Sequence, residues 1–516
     1  MSGHLKAVII LLVVGFAAIF GARLLLPLFQ ESEQRETSDA RATKGVLTIG
    51  MDSWIGYFPL CSPSMRRHLH QAGYVLKCEN DDADYAGRFR RLKAGELQFA
   101  LTTVDAFLLN GAELDFPGTV VAVIDESKGG DALVAREKEL SGLDRIRDKQ
   151  GLKIAFTPAS PSEHLLKAIG AHFDIPQLKE RRGSWREETN GSAQALERLL
   201  AGDVQAAVLW EPDVSRALAE PGLVKLIGSE DTDRLIVDIL VVSRDFSREH
   251  PEAVTALLDT YFRVLQEYRD RPGRLRADVV ETTGLKESLV DSMLQGVSWV
   301  GLNENGALWF GISPSGTMPE QGLVETITAT TRILLENGDF RSDPLPGGDP
   351  YRITNRQFVA ELYLRQGPRD ADAERGDSLS RAFPPLAGSD WARLKEVGTL
   401  KVQPIGFRRG TADLAFEGKQ ELDRMAAMLR HYPRFRILVK GHSGVRGDPE
   451  ANRLLSQERA DAVSRYLRVT FDVDPNRIRD VGYGASQPLP RKPGESDRAY
   501  GYRLPRVELA LVSETY

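Results

Sequence analysis

Hydroxyl, indole and acidic side chains sit just beyond the short apolar runs of this sequence. Ser53 and Trp54 follow VLTIGM, Thr102 and Thr103 follow QFAL, and Ser127 and Lys128 lie beyond TVVAVI. Ser160 and Ser162 fall between LKIAF and a helical segment that starts near Glu163, while Trp210 and Glu211 follow QAAVL. If those runs are parallel strands, these positions are their carboxyl ends. Loops converge there, and the helices that follow aim free N–H groups at the same place. Hydroxyls, amide donors and indoles in such a place suit recognition of a small solute. Each has a plainer reading as well. A Ser ahead of a helix is a ready N-cap, Trp210 is equally a core aromatic, and Glu211 is equally a solvated loop acid.

Catalytic constellations are not readable. His164 opens a helix near Ser162, but no nucleophile–base pair can be assigned, and no P-loop occurs. No catalytic residue, metal ligand or cofactor is expected. His442 lies in a GHSG turn with no set of metal ligands around it. The chain has two cysteines. Cys61 lies just after the first strand and Cys78 at the end of the second, so parallel pairing puts both on one rim. A disulfide is one reading in an oxidising compartment, and two buried thiols is the other.

The elements that must position these residues alternate. VLTIGM, YVLKC, QFALT, TVVAVI, LKIAF, QAAVL and DILVVS read as strands of four to six residues. Segments such as SEHLLKAIGAHF and AQALERLLAG carry apolar residues at helical spacing. The pattern predicts α/β with mainly parallel sheets, and a body of this size suggests two lobes. Near the end, LKVQPIGF, FRILVKG, RIRDVGYG and RVELALV read as strands. Leu422, Met425, Ala426 and Leu429 mark one helix, and Ala460, Val463 and Leu467 mark another. Two helices on one face of a small sheet make an α+β sandwich.

With 516 residues, roughly two to four domains are expected. A net charge of −6 argues against a general nucleic-acid binder. The uncharged run AVIILLVVGFAAIFGA between Lys6 and Arg23, extended by LLLPLF, approaches the roughly 30 Å of a bilayer core. A cut after Ala22 would put Phe20 where cleavage wants a small residue, so a retained anchor is expected. Lys6 before the run and ESEQRE after it favour the amino terminus inside and the bulk in the periplasm. The expected order is an anchor over 1–30, a polar linker over 31–44, a two-lobed body over 45–365, a second linker over 366–396 and a final domain over 397–516.

MDSWIGYFPL, LKAGELQFALTTVDAFL, SGLDRIRDKQGLKIAFTPASPSEHLL and LLAGDVQAAVLWEPDV together resemble the nitrate/sulfonate/taurine-type periplasmic substrate-binding proteins over about 45–262. That resemblance implies a type 2 clamshell that closes on a solute, anionic or zwitterionic. Trp54 and Trp210 would form its aromatic walls, and Glu211 and Asp238 would accept hydrogen bonds. Residues 271–365 match less clearly and are expected as extra helices around the first lobe. ILVKGHSGVRGDPEANRLLSQERADAVSRYL, RIRDVGYGASQPL and RVEL resemble the OmpA-like family over about 400–512. Asn452, Arg459 and Arg506 stand at family positions, and the resemblance implies that Arg459 holds a carboxylate of the peptidoglycan stem. The family's Asp in the turn is replaced by Gly444, and Leu504 and Pro505 replace the expected Asn and Arg. The chain thus reads as a solute-binding protein of the ABC-transporter type, held at the inner membrane and tethered to the wall. The alternative is an envelope scaffold or sensor whose body recognises a protein partner or no solute.

Overall fold

A computed structural model describes residues 43–312, 321–366, 379, 381–408 and 410–514. The expected anchor over 1–30 lies outside them. No helix among the described residues is long and apolar enough to cross a membrane.

The apolar runs become strands because they are short, largely buried on both faces and bounded by helix signals, with β-branched residues concentrated in GTVVAVIDES and VDILVVS. In chain order they are β1 (Gly45–Met51), β2 (Tyr74–Asn80), β3 (Phe99–Thr103), β4 (Gly118–Ser127), β5 (Asp131–Arg136), β6 (Ile154–Phe156), β7 (Arg186–Glu188), β8 (Ala206–Trp210), β9 (Leu223–Gly228), β10 (Val237–Ser243) and β11 (Val297–Trp299). They form two sheets, ordered β11-β4-β10-β3-β1-β2 and β7-β6-β8-β5-β9. Without the edge strand β11, both sheets follow one plan. In each, a parallel trio (β1 between β2 and β3, β6 between β7 and β8) is followed by one antiparallel strand and then a fifth strand. That antiparallel strand is supplied by the other lobe's part of the chain. β5 leaves the first lobe and lies between β8 and β9, while β10 returns from the second and lies between β3 and β4. The sheets are therefore mixed, where alternation alone predicts mainly parallel ones. The exchanged strands run backwards because each arrives directly from the other sheet, without a crossover helix.

The β4–β5 crossing runs through Gly129 and Gly130. Gly129 has φ +122°, and a Cβ on Gly130 would collide with the Trp54 ring. Side chains are excluded from this crossing on both grounds.

Helices Pro272–Thr283, Glu287–Gln295 and Gln357–Gln366 pack around the first lobe. Helix Gly322–Glu336 instead touches Val104–Ala112 of the first lobe and Pro161–His172 of the second. Cys61 and Cys78 are disulfide-bonded, with Cα atoms 6.1 Å apart.

The third sheet is β12 (Lys395–Thr399), β15 (Arg506–Ser513), β13 (Arg436–His442) and β14 (Ile478–Gly484), in that order. Helices Phe416–Leu429 and Pro449–Phe471 bury the predicted apolar faces. The first strand falls earlier than LKVQPIGF suggests. Pairing stops at Thr399, and the stretch that follows contains Pro404, which has no N–H for a ladder. Within the 366–396 stretch, Gln366 ends the helix on the first lobe, while Phe383 and Pro384 are held on this domain: Arg436 donates to the Pro384 carbonyl (2.9 Å), and the Phe383 amide donates to Asp474 (3.0 Å).

One hydrophobic cluster runs without a break from the second lobe into the C-terminal domain, joining Leu143, Ile146 and Phe173 to Val397, Leu400, Met425 and Tyr432. The Lys401 amide donates to the His172 carbonyl (2.6 Å), and the Asp233 amide donates to the His431 carbonyl (2.8 Å).

Candidate functional site

The carboxyl ends of the parallel strands of both sheets meet at a closed junction between the lobes, where the side chains named below are buried. From the first lobe come the residues after β1 and β3 and the end of β4. From the second come the residues after β6 and β8 and the start of β5. The helices that follow β3 and β6, Val104–Ala112 and Pro161–His172, contact each other across it.

The first-lobe side of the junction is acidic and aromatic. Trp54 is buried, and its Nε1 donates to Asp125 Oδ1 at 3.1 Å. Tyr57, fully buried, donates its hydroxyl to Asp238. Arg88 is completely buried and pairs with Asp81 (2.5 Å) and Asp52 (3.3 Å). Burial without a counter-ion raises the neighbouring carboxyls. The Asp125 carboxyl is pushed up to about 8, against the opposing hydrogen bond from Trp54, and that of Asp131 to about 7. Asp238 is raised well above the usual carboxylate range by burial first and by Asp125 second.

Several buried polar atoms at this junction have no hydrogen-bond partner. In the first lobe they are Thr103 Oγ1, both carboxylate oxygens of Asp105 and Asp125 Oδ2; in the second, Thr157 Oγ1, Ser162 Oγ and both ring nitrogens of His164. Asp105 is 1% exposed and Ser162 is fully buried. Unpaired buried polar atoms are costly in a folded protein, and here both lobes contribute them. Burial lowers the His164 pKa, so its ring is neutral near pH 7, and the charge of Asp105 acts on it from the other lobe.

The residues singled out from sequence divide accordingly. Thr103 and Ser162 bring hydroxyls without hydrogen-bond partners to the junction, and Trp54 is buried in the first lobe's core. Ser160 is the N-cap of its helix, accepting from the Ser162 amide at 3.2 Å. Ser127 bonds Asp131 (2.6 Å) and Ser229 (2.8 Å), fastening the two crossings together. Thr102 turns back to its neighbour's carbonyl (3.4 Å), and Ser53 is exposed. Glu211 is buried, not a solvated loop acid. It accepts from the Ser215 amide (3.1 Å) and hydroxyl (2.7 Å), which commits it to its own helix. Trp210 is half-buried and belongs to none of the hydrophobic clusters. Asp105, Thr157, Asp125, Asp131 and Tyr57 went unread. An acid inside the apolar strand TVVAVIDES was the available signal.

In the C-terminal domain, Arg459 is half-buried over the Phe407 ring, with 5.1 Å from guanidinium carbon to ring centre, and its Nε donates to the Thr411 carbonyl at 3.2 Å. It has no carboxylate partner among the described residues. Asn452 holds the turn, donating to the Arg446 carbonyl at 3.0 Å. Arg506 is paired with Glu508 at 2.6 Å. Asp448 caps helix Pro449–Phe471 by accepting from the Ala451 amide at 2.7 Å. A Cβ on Gly444 would meet only Pro505, at 3.9 Å.

Two lobes of one strand plan, each completed by a strand from the other, form a periplasmic-binding-protein-like body, and an OmpA-type domain follows it. The OmpA family model matches residues 406–500. Peptidoglycan-associated lipoprotein of Haemophilus influenzae is 42% identical over 76 residues, 15% of this chain and 49% of that protein. That of Rhizobium meliloti is 35% identical over 85 residues, 16% and 48%. Probable lipoprotein YiaD of Escherichia coli is 33% identical over 107 residues, 21% and 47%. The chain spans about half the length of these curated relatives. Among solved structures, the alkanesulfonate-binding protein SsuA from Xanthomonas axonopodis, bound to MOPS, aligns over 61% of this chain and 99% of its own at 17% identity, TM-score 0.45. The periplasmic aliphatic sulphonate-binding protein SsuA of Escherichia coli aligns over 62% and 100%, also at 17% identity, TM-score 0.46.

Proposed function

We propose that this chain is a solute-binding protein fixed to the cell wall, its body recognising a small molecule between the lobes and its C-terminal domain holding peptidoglycan. The observation that supports the reading is the set of buried polar atoms without hydrogen-bond partners where the two lobes meet. A ligand supplies the partners they lack. The apolar run within 1–30 would tether the amino end to the inner membrane, with the bulk in the periplasm. Arg459, with no acidic partner, would take a stem-peptide carboxylate.

The hydrophobic cluster shared by the second lobe and the C-terminal domain favours a stationary sensor or capture protein over a diffusing carrier. A transport role would require a membrane partner to come to it. Native mass spectrometry of the full chain, extracted from envelopes in mild detergent, tests the solute claim. A stoichiometric small molecule that is lost from a Thr103→Val, Ser162→Ala double variant is expected. Full occupancy of the variant, or no adduct under any growth condition, would refute it.

A further inference from the structure

We propose that the cleft between the second lobe and the C-terminal domain is a further ligand site, built for a small, multiply charged anion of the phosphate or polycarboxylate class.

The space is present. A cavity of about 1280 Å³ opens where three parts of the chain meet. They are helix Gly322–Glu336, the end of helix Pro161–His172 with the turn after β9, and helix Phe416–Leu429 with the residues that follow it. That is room for an organic ligand and bound water. Ile333 and Met425 line the cavity, and both belong to the hydrophobic cluster shared by the second lobe and the C-terminal domain. His172 ties the walls together. Its carbonyl accepts from the Lys401 amide, its ring nitrogen meets the Tyr432 hydroxyl, and its ring stacks on His431. Lys401 and Arg434, two residues beyond Tyr432, are thereby held on the same cleft as Arg332, the neighbour of Ile333.

The charges on these walls do not cancel. Most of the lining acids are already matched. Glu230 is paired with Lys225, Asp233 with Lys128 (2.9 Å), Glu325 with Arg234 (3.0 Å) and Glu421 with Arg424 (2.6 Å). Glu336 is the one lining acid without an ion pair among the described residues. Against it stand Arg332, Arg381, Lys401 and Arg434, none of them ion-paired among the described residues. The three arginines are exposed and Lys401 is half-buried, so a ligand in the cleft can reach them. A cleft lined by unmatched cations concentrates anions, and guanidinium forks grip phosphate or carboxylate by two oxygens at once. Four unmatched cations against one acid suit a ligand with two or more negative charges. Lys179 of the second lobe adds to the excess. Burial first, and Lys401 next, lower its pKa even with Asp174 at 3.8 Å. The two ammonium groups repel across the domain boundary, and a bound anion relieves that repulsion.

The test is isothermal titration of the full-length protein in detergent, at physiological ionic strength, with pyrophosphate and with citrate, and with acetate as the singly charged control. Saturable binding of at least one polyanion, and none of acetate, is expected. Pyrophosphate alone would assign the phosphate class, and citrate alone the carboxylate class. Arg332→Gln and Arg434→Gln should each weaken that binding about tenfold, the worth of one charged hydrogen bond. Both side chains are exposed and unpaired, so neither substitution should disturb the fold. Arg67→Gln removes an exposed charge from helix Pro63–Gln71 and should leave the affinity unchanged, as should the Thr103→Val, Ser162→Ala variant. No saturable binding of either polyanion would overturn the site. So would acetate binding as tightly, an equal loss in Arg67→Gln, or affinity unmoved in both Arg332→Gln and Arg434→Gln.

Discussion

The buried ring of His172 and the hydroxyl of Tyr432 meet across the boundary between the second lobe and the C-terminal domain, with Nδ1 and Oη 2.7 Å apart. The His431 ring stacks on His172 at 5.7 Å between centres. Tyr432→Phe keeps the packing but strands a buried ring nitrogen. It should destabilise this unit by about 1–3 kcal/mol, seen as a lower midpoint in chemical denaturation. Because the core is continuous, the second lobe and the C-terminal domain should lose structure in one transition. Two resolved transitions for those parts, followed by hydrogen exchange, would contradict this.

Acid should weaken the same junction. Burial lowers the pKa of both His172 and His431. The unfolded chain therefore takes up protons near the ordinary histidine range while the folded one does not. The stability these rings contribute is fully present above about pH 6.5 and declines as pH falls below it. Protection factors in helix Pro161–His172, corrected for the intrinsic slowing of exchange in acid, should fall from pH 7 to pH 5.5.

The acids between the lobes act with the opposite sign. Asp125 and Asp131 have folded-state pKa values raised to about 8 and about 7. The folded state holds their protons through a range in which the unfolded state has released them, so stability falls as pH rises from about 4 to 8. Asp125→Asn should flatten that decline. Melting temperatures between pH 6 and 8.5, compared for wild type and variant, measure it. An equal slope in both would remove Asp125 from the account.

Wall binding has a gain-of-function test. Gly444 has room for a side chain and a φ outside the left-handed region. Gly444→Asp should raise retention on purified sacculi by supplying a carboxylate for the stem ammonium. Arg459→Ala should reduce retention about tenfold or more. Equal sedimentation of all three proteins would count against this clamp.

The Cys61–Cys78 bridge closes a short loop, 17 residues apart in sequence. Replacing both by Ser should cost about 3 kcal/mol by loop entropy, read as a lower denaturation midpoint for the first lobe.

Much of this was legible before the structure. The seven strands read between 45 and 243 all form, because short apolar runs bounded by helix signals leave little choice. β5, DALVAR, escaped notice, since its role in completing the other lobe is topological and has no local pattern. Site residues were harder. A serine that caps, such as Ser160, and one left unpaired, such as Ser162, stand two positions apart with the same chemistry. What separates them is where the opposite lobe lies, and no window of sequence contains that.

The continuous core linking the second lobe to the C-terminal domain also divides the mechanics of the molecule. β1 opens the first lobe, while β13 shares a hydrophobic interior with the second. Any relative rotation of the jaws therefore displaces the strand nearest the amino end against the module that carries Arg459. On the tethered reading proposed above, such a rotation would change the span between the two tethers, with the second lobe as the stator.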